Sequence, residues 1–219
     1  MSTATLAPPD VLEPFAESRP PSKNGELVWE LAAAYPRQGE WDDRDFFALT
    51  EDAADRAELV DGRLEFLPVP TRLHQTLMDW LVARLNTHLG RGYAVSSGYK
   101  LRIRERVPRL RNDYRDADVL ATTDLSTFGP KFATAASLVI EVISPDPRDR
   151  ERDLVEKRLD YAEAGVPEYW VVDPEAKTVL PLRLEGDAYA DAEPVGVGAM
   201  LASTAVPGFE VSLAELFDA

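Results

Sequence analysis

The sequence predicts a mixed sheet flanked by helices, α/β or α+β by class, and three stretches carry that expectation. AELVDGRLEFLP, residues 57–68, reads as two strands around Asp61-Gly62, a dipeptide suited to a two-residue hairpin turn. Leucine recurs at every fourth position from Leu73 to Leu89, which marks a long amphipathic helix. LVIEVIS, residues 138–144, is an apolar run broken by one glutamate, the pattern of a strand buried on both faces.

The other elements follow in order. Residues 1–24 hold Pro8, Pro9, Pro14, Pro20 and Pro21 with few periodic apolar positions, so a disordered lead is expected, with 25–219 as one domain. Short helices are expected over 26–35 and 42–49. Residues 93–97 and 100–107 read as a second hairpin, since Leu101, Ile103 and Glu105 alternate with Arg102, Arg104 and Arg106. Strands are expected at 118–121 and 137–144, joined by a loop that holds Gly129-Pro130. A helix over about 149–163 is stopped by Gly165 and Pro167. Strands over 168–173 and 178–184 and a helix over 213–217 complete the chain, with no internal repeat.

Composition narrows the chemistry. The 219 residues include no cysteine, which removes disulfides, thiolate zinc sites, iron–sulfur clusters and cysteine nucleophiles, and suits a reducing compartment. No apolar run approaches the roughly 20 residues that span a bilayer, and the first residues lack a basic start and an apolar stretch. A cytoplasmic protein is expected. A formal charge of −15 argues against coating nucleic acid by bulk electrostatics. Lys100 to Arg115 is locally basic, however, with seven cations against Glu105 and Asp113. It reads either as a solvated hairpin or as a strip facing a polyanion.

Glu141 is the most informative residue. An ionised carboxylate inside an apolar strand costs several kcal/mol unless it is paired or bound to a metal. It is either a metal ligand or one half of a salt bridge to an arginine. Asp118 opens another apolar strand and is either its partner ligand or a strand-initiating aspartate. Two carboxylates on neighbouring strand ends form a hard-cation site that favours Mg²⁺ or Mn²⁺. His74 and His88 cannot share an ion, being roughly 21 Å apart along one helix. There is no Gly-rich phosphate loop, no H-E-x-x-H and no G-x-S-x-G. Tyr169 and Trp170 could stack bases, but their apolar strand makes core packing the expected role.

The order ELVDG, a histidine opening a long helix, R-x-x-D-V, EVIS-P, a lysine-bearing helix and AGVPEYWVVDP resembles the Uma-two family of restriction-type endonucleases over residues 40–185. The resemblance implies the PD-(D/E)xK nuclease fold, with a restriction-endonuclease-like central sheet. It carries the acidic residue of the "PD" element onto Asp118, preceded here by Ala117 where proline is usual. It carries the acidic residue of "(D/E)xK" onto Glu141, the upstream acidic position onto Glu58 and the helix-opening histidine onto His74.

The strand slot for the superfamily's lysine holds Ile143. The Uma-like pattern takes the lysine from the following helix, at Lys157. On a helical wheel Lys157 and Tyr161 are read as a flank beside an apolar stripe of Val155, Leu159 and Ala162, able to face the strand ends. The plainer alternative pairs Lys157 with Asp153 one turn away. Tyr161 and Arg115 are carried as accessory residues.

The resemblance thus implies a Mg²⁺- or Mn²⁺-dependent endonuclease acting on DNA. Asp118 and Glu141 would hold the metal, with Glu58 as a further ligand. Lys157 would neutralise a phosphate oxygen or position water, and His74 would contact phosphate, assist proton transfer or simply sit at the surface. The competing expectation is a catalytically silent nuclease fold that binds or regulates, as a homodimer for example. A plain structural domain would leave Glu141 unexplained.

Overall fold

The computed structural model describes residues 36–52, 56–105 and 112–219. The expected lead, the helix over 26–35, and Arg106, Arg109 and Arg111 of the basic strip lie outside them. The helix expected over 42–49 is α1 (Asp43–Asp52). Among the described residues no helix is long and apolar enough to cross a membrane.

The first hairpin forms where the sequence puts it. Strands β1 (Ala57–Val60) and β2 (Arg63–Phe66) pair antiparallel, with Val60 opposite Arg63. Asp61 and Gly62 take φ of 52° and 67°, the two left-handed residues that a type I′ turn requires. Helix α2 (Arg72–Leu89) begins at Thr71, whose hydroxyl accepts from His74 N at 3.2 Å. It buries Leu77, Met78, Leu81 and Leu85, while Leu73 is half exposed. A four-residue step overruns the helical repeat by about 40° each time, so the leucine stripe drifts off the core at its start.

The main sheet has the order β11-β10-β9-β8-β6-β3, with a further strand, β12, on β10. These are β3 (Ala94–Ser96), β6 (Val119–Ala121), β8 (Leu138–Val142), β9 (Glu168–Asp173), β10 (Thr178–Glu185), β11 (Ala188–Tyr189) and β12 (Val195–Gly196). Strand β8 lies inside it, antiparallel to β6 and parallel to β9, with Val119 opposite Ile140 and Ile140 opposite Trp170. Its alternation divides the core. Leu138, Ile140 and Val142 pack with Leu77, Leu81 and Trp170, and Val139 and Ile143 pack with Tyr161 and Tyr169. Glu141 shares the second face, which directs it at the helix that follows.

The expected second hairpin does not form. β3 belongs to the main sheet, whereas β4 (Lys100–Arg104) joins a second sheet of order β2-β1-β5-β4-β7. There it pairs antiparallel with β5 (Asp113–Arg115) and parallel with β7 (Phe132–Ala133). The divergence is held at the turn. Gly98 adopts φ 97°, Asp116 accepts from Gly98 N at 2.7 Å and from Lys100 Nζ at 2.9 Å, and Ser97 N donates to Asp118 O at 3.0 Å. Tertiary hydrogen bonds to Asp116 and Asp118 thus override the local pattern.

After β8 the chain forms α3 (Pro147–Glu151), a π-helical segment Arg152–Glu156, and α4 (Lys157–Glu163). The expected stripe is corrected here. Val155 and Leu159 are 52% and 66% exposed, while Lys157, Tyr161, Asp153 and Asp160 are buried. At about 100° per residue Lys157 lies roughly 160–200° from Leu159 and Val155. One set had to face outward, and the ionic set is inside. A final pair, β13 (Met200–Ala202) and β14 (Glu210–Ser212), leads into α5 (Leu213–Phe217), which buries Leu213 and Leu216 beside α2.

Candidate functional site

Strands β6 and β8, the start of α2 and the helical segment after β8 meet at one cleft of about 390 Å³. Arg56, His74, Asp118, Glu141, Asp149, Arg152, Asp153 and Lys157 all line it. Among the residues read from the sequence, the structure therefore brings together Asp118, Glu141, Lys157 and His74.

Asp118 stands just before β6, and its backbone N lies 3.4 Å from Glu141 Oε2. Its carboxylate is fully engaged. Oδ1 accepts from Arg56 Nη2 at 2.7 Å, and Oδ2 accepts from Val142 N at 2.8 Å and lies 2.8 Å from His74 Nε2. Burial works to raise its pKa. The His74 hydrogen bond and the charges of Lys157 and Arg56 win, holding it at about 2.

Glu141 is 1% exposed. Its Oε1 accepts from Lys157 Nζ at 2.9 Å and from Tyr161 Oη at 2.5 Å. Burial, reinforced by the Asp118 and Asp153 charges, pushes the carboxyl up to about 8 in spite of Lys157. Lys157 is also 1% exposed and lies 3.2 Å from Glu58 Oε1 and 3.5 Å from Asp153 Oδ1. Burial opposes its charge, but Glu141, Glu58 and Asp153 outweigh that and hold the ammonium firmly protonated. The i, i+4 pairing with Asp153 and the contact with Glu141 thus coexist.

Glu58 stands behind the cleft and does not line it. Its Oε2 accepts from Arg115 Nη1 at 2.6 Å, and its Oε1 accepts from Asp116 N at 3.1 Å and faces Lys157. Burial is overcome by Lys157 and Arg115, which hold Glu58 at about 2. Arg115 also binds Asp160 through Nε at 2.8 Å and Nη2 at 2.6 Å. Tyr161 and Arg115 both reach the network from outside the cleft.

Most of the described part of the basic strip is turned into the fold. Lys100 pairs with Asp116, Arg104 with Asp113, Asp160 and Glu163, and Arg115 with Glu58 and Asp160. These three side chains turn their charge towards carboxylates of the fold, while Arg102 pairs with the exposed Glu105 at 3.3 Å. Tyr169 and Trp170 are buried, in keeping with core packing.

Three cleft residues escaped the sequence reading: Arg56, Arg152 and Asp153 as an open acceptor. Asp153 is 4% exposed, and its Oδ1 has no hydrogen-bond partner. Burial pushes its carboxyl up. The only sequence signal was its spacing from Lys157, which is shared by many surface pairs.

A search of the solved structures finds a similar fold, TM-score 0.63, in a crystal structure described as a "putative nuclease belonging to DUF820" from Anabaena variabilis ATCC 29413. It is 18% identical and covers 84% of this chain and 98% of that one. No curated protein matches. The profile of the Uma2 family, described as "Putative restriction endonuclease", matches residues 43–214. With most of its length inside that match, the chain belongs to the Uma2 family.

Proposed function

We propose that this protein is a divalent-metal-dependent endonuclease that hydrolyses phosphodiester bonds in nucleic acid, with DNA as the expected substrate. The observation that carries it is the convergence of Asp118, Glu141 and Lys157 on one cleft.

The residues present fit a hard cation. Every acidic donor is an oxygen, and Asp153 Oδ1 is a buried acceptor without a hydrogen bond. Among the described residues no three acidic or histidine side chains are grouped tightly enough to cage an ion. Mg²⁺ does not ask for that, since it keeps several waters and takes one or two carboxylates plus a substrate phosphate. Asp118 and Glu141 would hold it. A bound Mg²⁺ or Mn²⁺ would lower the pKa of a bound water and offset charge developing on the phosphate.

The chain's own groups divide the remaining work. Lys157 is a charged donor fixed at the cleft and would neutralise a phosphate oxygen. Tyr161 Oη and Lys157 Nζ fix the orientation of Glu141. His74 Nε2 and Val142 N orient Asp118. Glu58, held by Arg115, would position Lys157 from behind rather than bind metal, because it does not line the cleft.

One observation favours the silent-module alternative: Asp118 already has its charge met by Arg56. Calorimetry with Mg²⁺ and Mn²⁺ on the native chain and on Glu141→Gln separates the two. Binding that the substitution weakens, with plasmid cleavage lost in Lys157→Ala, supports the nuclease. Absence of metal binding by the native chain, or binding indifferent to Glu141, would sink it.

A further inference from the structure

The cleft has two walls of opposite chemistry. Leu67, Pro68, Val69, Pro70 and Leu73 form an aliphatic wall. Val69 is 92% exposed and Leu73 50%, and neither covers core. Pro68 and Pro70 lack backbone N–H groups, so this segment has little to offer a phosphate or a sugar hydroxyl. What it suits is the flat, weakly polar face of a base, which it would shield from water.

The floor sets Arg56, Arg152 and Lys157 among carboxylates, and two of its donor atoms lack hydrogen-bond partners. Arg56 Nε and Arg152 Nε are buried without hydrogen-bond partners, and with Asp153 Oδ1 they make up all such side-chain atoms among the described residues. Their carboxylate contacts are long, 3.9 Å from Arg56 Nε to Asp116 and 3.5 Å from Arg152 Nε to Asp153. Buried donors are rarely left unpaired without a reason. A phosphate oxygen supplies the acceptors both lack, and guanidinium groups match its geometry.

Size and surroundings set the substrate class. A space of about 390 Å³ lies near the lower end of small-ligand sites, roughly 300–1,000 Å³. That is room for about one nucleotide. The formal charge is −15, and Lys100, Arg104 and Arg115 of the basic strip face carboxylates of the fold rather than a duplex backbone.

We propose that the cleft takes a single unpaired nucleotide of a nucleic-acid strand, its phosphate against Arg56 and Arg152 and its base against the Leu67–Pro70 wall. The chemistry at that nucleotide rests on the nuclease reading, but its binding does not. An enzyme acting here cuts single strands, frayed ends or flipped-out nucleotides in preference to intact duplex.

The test is fluorescence anisotropy of a short labelled oligodeoxynucleotide, single-stranded and as its blunt duplex, with the full chain in Ca²⁺ and in EDTA. The single strand binds about tenfold or more tightly than the duplex. The exposed-site double variant Val69→Asp/Leu73→Asp, checked for folding by circular dichroism, loses most of that preference. Equal or tighter duplex binding, no binding of either form, or a preference that survives the double variant overturns the proposal. Cleavage in Mg²⁺ keeps the two readings apart. A single strand that is bound selectively but left uncut by the native chain supports this proposal and counts against the nuclease. A duplex cut faster than the single strand overturns this proposal and leaves the nuclease standing.

Discussion

Lys157 Nζ donates to Glu141 Oε1 at 2.9 Å, from the first turn of α4 to the penultimate residue of an internal strand. The strand position that would place a lysine on the same face as Glu141 holds Ile143, which is buried in the core cluster beside Tyr161 and Tyr169. A helix-borne lysine therefore reaches the same carboxylate from above the sheet, and it serves Glu58 and Asp153 as well.

One buried cation facing three carboxylates makes Lys157 a structural as well as a chemical group. Lys157→Met leaves Glu58 and Asp153 without their shared partner, and an uncompensated buried charge costs about 3 kcal/mol or more. The unfolding free energy from urea titration should fall by that amount. Adding Glu58→Gln should restore most of the stability and none of the cleavage. If Lys157→Met alone unfolds within about 1 kcal/mol of the native chain, the buried network is not what holds the helix to the sheet.

Glu58 sets an acid limb with a definite sign. Its folded pKa, about 2, lies below the ordinary 4.5, so it contributes stability that is fully present above pH 4.5. That contribution is lost as pH falls towards 2, roughly 3 kcal/mol in all. Glu58→Gln removes this dependence. Between pH 5 and 3 the variant should lose distinctly less stability than the native chain in urea titrations, even if it starts lower. Parallel slopes would show that Glu58 titrates normally and is not tied to Lys157 and Arg115.

The parts of the site that were legible in the sequence are those fixed by local period. Alternation along β8 sets the side of the sheet on which Glu141 lies, and the Asp61-Gly62 turn sets the register that puts Glu58 in β1 beside β5. The rest depends on side chains distant in sequence. The split between β3 and β4 is decided by Asp116 capping Gly98 and binding Lys100, which no window of residues reveals. Val155 and Leu159 would be chosen for burial by hydropathy, yet the pairing of Lys157 and Asp160 with β1, β5 and β8 decides which face turns in.

 The exposure of Leu159 alongside Val155 is the cost of burying those ion pairs. Arg56 and Arg152 gave no signal, because a lone arginine beside a strand or in a charged helix usually faces solvent.

His74 opens α2 and lies 2.8 Å from Asp118 Oδ2, so its effect should pass through the orientation of Asp118. Groups that orient a metal ligand typically change affinity or activity by roughly 10–100-fold when removed. His74→Ala should weaken Mn²⁺ binding by that range in calorimetry and lower cleavage in step, with the urea midpoint little changed. Unaltered Mn²⁺ affinity with cleavage lost would move His74 from positioning Asp118 to acting on the substrate.

Glu168 provides the control that separates folding from chemistry. It opens β9, is fully buried and does not line the cleft. Its carboxylate accepts from Trp170 Nε1 at 2.9 Å, Ser203 Oγ at 2.5 Å, Thr204 N at 2.9 Å and Ala205 N at 3.0 Å. The segment after β13 is thereby fastened to the main sheet. Glu168→Ala strands several donors at once, and each unsatisfied buried group costs about 1–3 kcal/mol. The expected loss is therefore more than about 3 kcal/mol, with Glu168→Gln intermediate because an amide keeps one acceptor oxygen. Cleavage per folded molecule, measured well below the melting transition, should stay at the native level in Glu168→Gln. If cleavage fell while stability held, the cleft around Glu141 would not be the whole of the site, and Glu168 would have to be counted within it.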